Sequence, residues 1–226
     1  LAWQQQRRFV ADASHELKTP LTVIMTNAEL AQSPDYDEKT RQKFVSIILV
    51  MSRQMRGLIE QMLELARVDS ADSEEINDIV DFSKLVSDAI LPFEPVFFEK
   101  GLKLTSTIDE NIRVPGAEDQ LRRVVDILLD NAQKYSSESG TTWVTLKKCG
   151  KGRCQLKVAN EGETLTPDEA KKVFKRFYRG DQARSGAGSF GLGLSIAEGI
   201  VARHRGRIWA EGSDGVNRFY VELPCA

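Results

Sequence analysis

His15 sits in the run Ser14-His15-Glu16-Leu17-Lys18-Thr19-Pro20. An imidazole changes charge near neutral pH and can serve as a nucleophile or a proton carrier. The carboxylate of Glu16 can hold one ring nitrogen protonated while the other attacks. Thr19 follows at the i+4 position, so on a helix it shares a face with His15, where its hydroxyl can position a water. A lone surface histidine most often does nothing, so the case rests on these flanking residues and on what presents them.

A second set of polar residues lies far along the chain. Asp130-Asn131-Ala132-Gln133-Lys134-Tyr135 ends a helical stripe of Leu121, Val124, Val125 and Leu128. Asn131 offers an amide oxygen, a hard ligand suited to Mg²⁺. Lys134 lies three residues on and can reach an anion, and Tyr135 can supply an aromatic wall. An ordinary amphipathic helix with a polar tip would look the same. Val158-Ala159-Asn160-Glu161-Gly162 ends a strand. There a polar side chain can bond a heterocycle edge while the glycine lets backbone approach closely; a plain turn is the alternative. Gly186-Ala187-Gly188-Ser189-Phe190-Gly191-Leu192-Gly193-Leu194 opens a helix. Such glycines let N–H groups turn toward a phosphate at the positive helix end.

These groups need elements to hold them. Phe44, Ile48, Met51, Met55, Leu58, Met62 and Leu65 recur at spacings of 4, 3, 4, 3, 4, 3, the seam of a coiled coil or four-helix bundle. A looser stripe of Phe9, Ala13, Leu17, Leu21, Ile24, Ala28 and Ala31 precedes it, and Ser33-Pro34-Asp35-Tyr36-Asp37 breaks the two. His15 is two residues from Ala13 and from Leu17, about 200° of rotation, so it points away from the stripe and into solvent. Pro20 removes the partner of the Glu16 carbonyl, which predicts a bend just beyond His15. Two helices bury one seam poorly, so two copies are expected to pair as a four-helix homodimer through this hairpin.

After residues 1–70, a small acidic segment over 71–77 reads as a linker, and 78–226 changes to α+β patterning. Strands are predicted at Ile79–Phe82, Leu102–Thr107, Thr141–Lys148, Gln155–Val158, Arg207–Glu211 and Arg218–Leu223. Helices are predicted at Ser83–Lys100, Glu118–Tyr135, Pro167–Phe174 and Leu192–His204. Strict βαβ alternation is missing, which argues against a doubly wound parallel sheet. The glycine-rich stretch from Tyr178 to Gly193 reads as a lid.

The whole chain narrows the class. Its 226 residues suit two domains, and 41% apolar with 28% charged residues is ordinary soluble composition. A net charge of −2 gives no bulk attraction to nucleic acid or anionic lipid. No run of eighteen apolar residues is present, so no membrane contact is expected within this chain, and no signal peptide is recognised. The chain opens within a helical pattern, as a piece of something longer would. Three cysteines are too few for a disulfide framework. Cys149 and Cys154 flank a hairpin loop and can face each other across two strands, with free thiols in a reducing cytoplasm the plainer reading. His204, at a helix end before Gly206 where a cation suits the negative terminus, reads as a structural residue.

Phe9 to Pro20, with Leu21, resembles the H box of the sensor histidine kinases. The segment around Asn131 resembles their N box, Asn160 to Gly162 their first glycine box, Phe174 to Arg179 their F box, and Gly186 to Leu194 their second glycine box. The resemblance covers nearly the whole chain. It implies a helical hairpin followed by an α/β sandwich of the kind shared with gyrase-type and Hsp90-type ATPases. It implies ATP and Mg²⁺, with Asn131 on the metal. ATP would be held by Asn131, Lys134, Tyr135, Asn160, Gly162, Arg179, Gly188, Gly191, Leu192, Gly193 and Leu194. His15 would accept the phosphoryl group, Glu16 would assist the proton, and Thr19 would serve a phosphatase reaction. The partner implied is the receiver domain of a response regulator, and the place is the cytoplasmic portion of a membrane-anchored sensor. Three positions depart. Ile127 replaces a second asparagine one turn before Asn131, Asn160 replaces an aspartate, and Thr164 replaces a glycine. Either water or phosphate oxygen fills the vacancy at Ile127, or the chain is a degenerate member that binds and dephosphorylates a regulator without phosphorylating itself.

Overall fold

The computed structural model describes residues 2–70, 78–150, 152–180 and 190–226. The chain divides into two compact units, Leu1–Ala66 with Arg176–Leu192, and Arg67–Lys175 with Gly193–Ala226. The acidic segment 71–77 and Gly188 lie outside the described residues.

The first unit is built on helices α1 (Ala2–Gln32) and α2 (Glu38–Ser70). Their break is chemically defined. Ser33 and Asp35 bond each other, Oγ to Oδ2 at 3.0 Å, and the Asp37 carboxylate accepts the Thr40 N–H at 2.9 Å as the cap of α2. Thr40, through its side chain first and its N–H second, holds the Asp37 carboxyl below its usual range. The heptad seam of α2 is the covered face: Leu58 and Leu65 are buried and Phe44, Ile48, Met51, Met55 and Met62 are half-buried. On α1 the covered face runs through Ala13, Leu17 and Pro20, while Leu21, expected in the stripe, is exposed. The helix continues through Pro20.

The second unit is a two-layer sandwich. Its elements are β1 (Ile79–Asp81), α3 (Phe82–Ile90), α4 (Phe93–Glu99), β2 (Lys103–Ile108), β3 (Arg113–Pro115), α5 (Glu118–Tyr135), β4 (Thr141–Cys149), β5 (Arg153–Glu161), α6 (Pro167–Lys172), α7 (Gly193–Arg203), β6 (Arg207–Ser213) and β7 (Val216–Pro224). The main sheet has the order β2-β4-β5-β7-β6, with β2 parallel to β4 and every other pairing antiparallel. Alternation along β4, β5 and β7 sends Val144, Leu146, Leu156, Val158, Phe219 and Val221 into the core. Leu121, Val124, Val125 and Leu128 of α5 and Ile196, Ile200 and Val201 of α7 are buried there as well. Burying these apolar faces is the main favourable term holding the unit, at roughly 25 cal/mol per Å².

Two expectations are corrected. The helix predicted over Ser83–Lys100 is two helices, parted at Leu91 and Pro92, because Pro92 cannot continue the hydrogen-bond ladder and starts α4 instead. Strand β3 was absent from the sequence pattern. It pairs with β1 antiparallel, Val80 opposite Val114, and three residues carry too little periodicity to be seen.

Candidate functional site

In the helical unit His15 is exposed, Glu16 half-buried and Thr19 exposed. Ala13 on one side and Pro20 on the other are buried, so the offset of His15 from the apolar stripe places its ring in solvent. The Thr19 hydroxyl donates to the His15 carbonyl at 3.5 Å, and Ser14 Oγ donates to Val10 O at 2.7 Å. Thr19 therefore lies one turn from His15 on the same helix face. Within this unit the Phe177 ring lies 5.7 Å from that of Phe9, and the Arg176 guanidinium stands 5.5 Å from the Phe9 centroid. Gly191 has φ +70, and a Cβ on it would fall 2.5 Å from the Tyr178 carbonyl. Glycine is required there by both conformation and space. Arg179 is half-buried and Leu192 is buried in this unit.

In the second unit the end of α5, the end of β5 and the start of α7 converge. Asn131 is half-buried near the C-terminus of α5, and Lys134 pairs with Asp130 at 2.6 Å. Asn160, 1% exposed, donates through Nδ2 to the Tyr135 carbonyl at 3.2 Å and to Glu161 O at 3.4 Å. Its amide nitrogen is thus spent on backbone, which leaves Oδ1 as the atom to accept from a ligand. A Cβ on Gly162 would stand 2.3 Å from the Tyr135 carbonyl, so this glycine exists to let β5 meet α5. Ile127, 7% exposed, packs its Cγ2 toward Gly193, where a Cβ would be 3.4 Å away. The position where the resemblance puts a second amide is occupied by apolar packing against the first residue of α7. Asp126, next to it in sequence, has its carboxyl raised by burial, with the Arg122 charge opposing.

Further side chains shape this site, and one of them, Asn217, had no sequence signal. Asn217, buried on β7, accepts the Leu165 N–H at 2.8 Å and donates to Glu163 O at 2.7 Å, holding the loop after Gly162. Thr164 accepts the Gly215 N–H at 3.0 Å, which gives the departure from glycine a structural use. Glu161 caps Thr141 N–H at 2.7 Å. His204 is structural, as expected, but as a buried, neutral ring rather than a cation at a helix end. Nε2 accepts the Ala117 N–H at 3.1 Å, Nδ1 donates to Ile200 O at 2.8 Å, and burial lowers its pKa.

The comparisons fall on both units. Residues 5–71 match the His Kinase A (phospho-acceptor) domain, and residues 116–226 match the Histidine kinase-, DNA gyrase B-, and HSP90-like ATPase. The chain belongs to the sensor histidine kinase family. The sensor protein DltS of Streptococcus agalactiae is 31% identical over 220 residues, 97% of this chain and 54% of that protein. The chain therefore spans about half the length of the curated relatives it matches. The mycobacterial sensor histidine kinase MprB is 28% identical with a TM-score of 0.59, over 66% of this chain and 98% of that one. Histidine kinase ThkA, solved in complex with response regulator protein TrrA, shares the fold at a TM-score of 0.78 and 21% identity, over 97% of this chain and 61% of that one. The phospho-acceptor match thus covers most of α1, with His15 in it, and all of α2, and the ATPase match begins just before α5. Among the described residues no helix is long and apolar enough to cross a membrane.

Proposed function

We propose that this chain is the autophosphorylating core of a two-component sensor. ATP binds in the second unit, His15 takes its γ-phosphoryl group, and the phosphohistidine passes that group to an aspartate of a response-regulator receiver domain. The observation that carries the reading is one chain holding both an exposed His15 in its twelve-residue H box and a second unit in which the end of α5, the end of β5 and the start of α7 converge; we assign Asn131, Asn160 and the start of α7 to the nucleotide. The resemblance adds Tyr135, Lys134, Gly162, Arg179, Gly188, Gly191, Leu192, Gly193 and Leu194 to that site.

His15 attacks the γ-phosphorus in line, the bond to the bridging oxygen breaks, and ADP leaves. Glu16 takes or steers the imidazole proton. Asn160 Oδ1 accepts from the adenine amino group. Lys134 is held by Asp130 in the free state and turns to the phosphates when they arrive. Asn131 suits Mg²⁺: a single hard amide oxygen fits an ion that keeps several waters and is otherwise held by phosphate. Bound there, the ion would supply charge neutralisation. Thr19 positions water for dephosphorylation of the regulator. Two copies pair through the hairpin, residues 71–77 join the two domains, and the whole is the cytoplasmic portion of a membrane-anchored sensor.

Incubation with γ-labelled ATP and Mg²⁺ should give acid-labile, base-stable label that disappears in His15→Ala. Label that survives the substitution removes His15 from its role. Complete lack of label, with regulator dephosphorylation retained, favours the second reading, a regulator-binding phosphatase. Ile127 is the observation behind that reading.

A further inference from the structure

The three cysteines of the chain gather at one end of the main sheet, away from the nucleotide site. Cys154 is buried on β5, opposite Leu223 of β7, and its thiol donates to the Leu223 carbonyl at 3.8 Å. The Cys225 N–H donates to Gly152 O at 2.8 Å, which carries the β5–β7 pairing one step past Arg153 and Pro224. Cys225 follows Leu223 by two residues, so it is diagonal to Cys154 on the same face. Cys149 ends β4 opposite Arg153, offset from Cys154 rather than facing it as expected. All three are free thiols.

We propose that Cys225 and Cys154 form a thiol modification site that reacts with small disulfides and closes to an intrachain disulfide. Cys225 is half-exposed and lies past the end of β7, so it can be reached. Cys154 is sealed on a central strand. Burial, with the Cys225 thiol beside it, pushes it up to about 12, so it reacts second and slowly. The thiolate of Cys225 attacks one sulfur of a small disulfide such as oxidised glutathione. That S–S bond breaks, one half departs as a thiol after taking a proton, and a mixed disulfide remains on Cys225. Cys154 then loses its proton to solvent base and attacks the Cys225 sulfur, expelling the other half. Two protein thiols are oxidised by two electrons and the small disulfide is reduced to two thiols. The closed loop spans β5, α6, α7, β6 and β7, so the bond restricts the unfolded chain of the second unit and raises its unfolding midpoint.

The test treats the full chain with oxidised glutathione, quenches in acid, and reads intact mass and non-reduced peptide maps over time. A glutathione adduct on Cys225 should appear first and then give way to a Cys154–Cys225 bond. The second step should quicken roughly tenfold from about pH 7.5 to about pH 8.5, because thiolate at Cys154 limits it. Cys154→Ser should retain the adduct, Cys149→Ser should behave as wild type, and Cys225→Ser, at an accessible chain position, should fold normally and form neither product. A bond that includes Cys149, an adduct that persists in the wild type, or no reaction at Cys225 overturns the proposal. Autophosphorylation plays no part in the readout, so a failure here is separable from failure of the kinase reading.

Discussion

Ile127 is where this site departs most from what its spacing suggests. One turn before Asn131, it shares the face that approaches α7, and its methyl group fills the space in front of Gly193. If Asn131 holds Mg²⁺ as proposed, a second amide there would give the metal two protein oxygens in place of one. Ile127→Asn is therefore expected to lower the Mg²⁺ concentration needed for half-maximal nucleotide binding several-fold. It should also destabilise the second unit by about 1.5–3 kcal/mol, the value of burying a branched aliphatic side chain. Magnesium titrations of ATP binding alongside thermal unfolding read both effects, and an unchanged magnesium requirement would detach this position from the metal. The sequence exposes the departure but not its use. Asn160 is similar. Its type is visible, whereas its bond to the Tyr135 carbonyl depends on two elements 25 residues apart, which no local pattern records. A carboxylate could not donate that bond, so Asn160 couples β5 to α5 in a way aspartate would not.

At the scale of elements, long periodic segments were legible and short or packed ones were not. The stripe of α5 and the alternation of β4 located those elements within a residue of their observed bounds. The break at Pro92 was obscured because apolar residues continue through α4, and β3 is defined by its partner rather than by its own three residues. His204 shows a further limit, since its helix-end position looked cationic and only packing against Gly116 and Ala117 makes it neutral. This packing has a pH signature. Burial lowers the His204 pKa, with Arg203 adding to that and the Ile200 carbonyl and Asp119 opposing it. Above the ordinary imidazole value of 6.5 the ring is neutral folded or unfolded and contributes no pH dependence. As pH falls through that value toward the lower folded pKa, the unfolded chain binds more protons, so stability declines. The decline stops once the folded ring also takes its proton. Denaturant midpoints of wild type and His204→Gln, compared at pH 8 and near pH 5.5, should show the wild-type advantage shrinking on acidification. A constant difference would mean the ring is not held neutral.

For the whole molecule, the heptad seam named the buried face of α2, but a single hairpin leaves other apolar positions uncovered. Val45, Leu49, Ile59 and Leu63 of α2 and Val10, Leu21 and Met25 of α1 remain exposed, Leu63 by 56%. A helix apolar on more than one side needs more than one neighbour. A second copy, as proposed, can supply it: a two-fold interface presents each patch to itself and every substitution acts twice. Burying the exposed half of Leu49 and Leu63 in both copies involves four side chains. At about half of the ~1.5–3 kcal/mol for a full leucine, that is about 3–6 kcal/mol, or roughly two to four decades in dissociation constant. Leu49→Glu with Leu63→Glu adds charge repulsion across the axis and should convert a dimer to a monomer over the micromolar range in sedimentation. The sheet unit should keep its nucleotide binding, since both substitutions lie in the other unit. If the doubly substituted chain stays dimeric, or the wild type is monomeric at tens of micromolar, the exposed stripe is not the pairing surface, and the hairpin would have to be completed by a different chain.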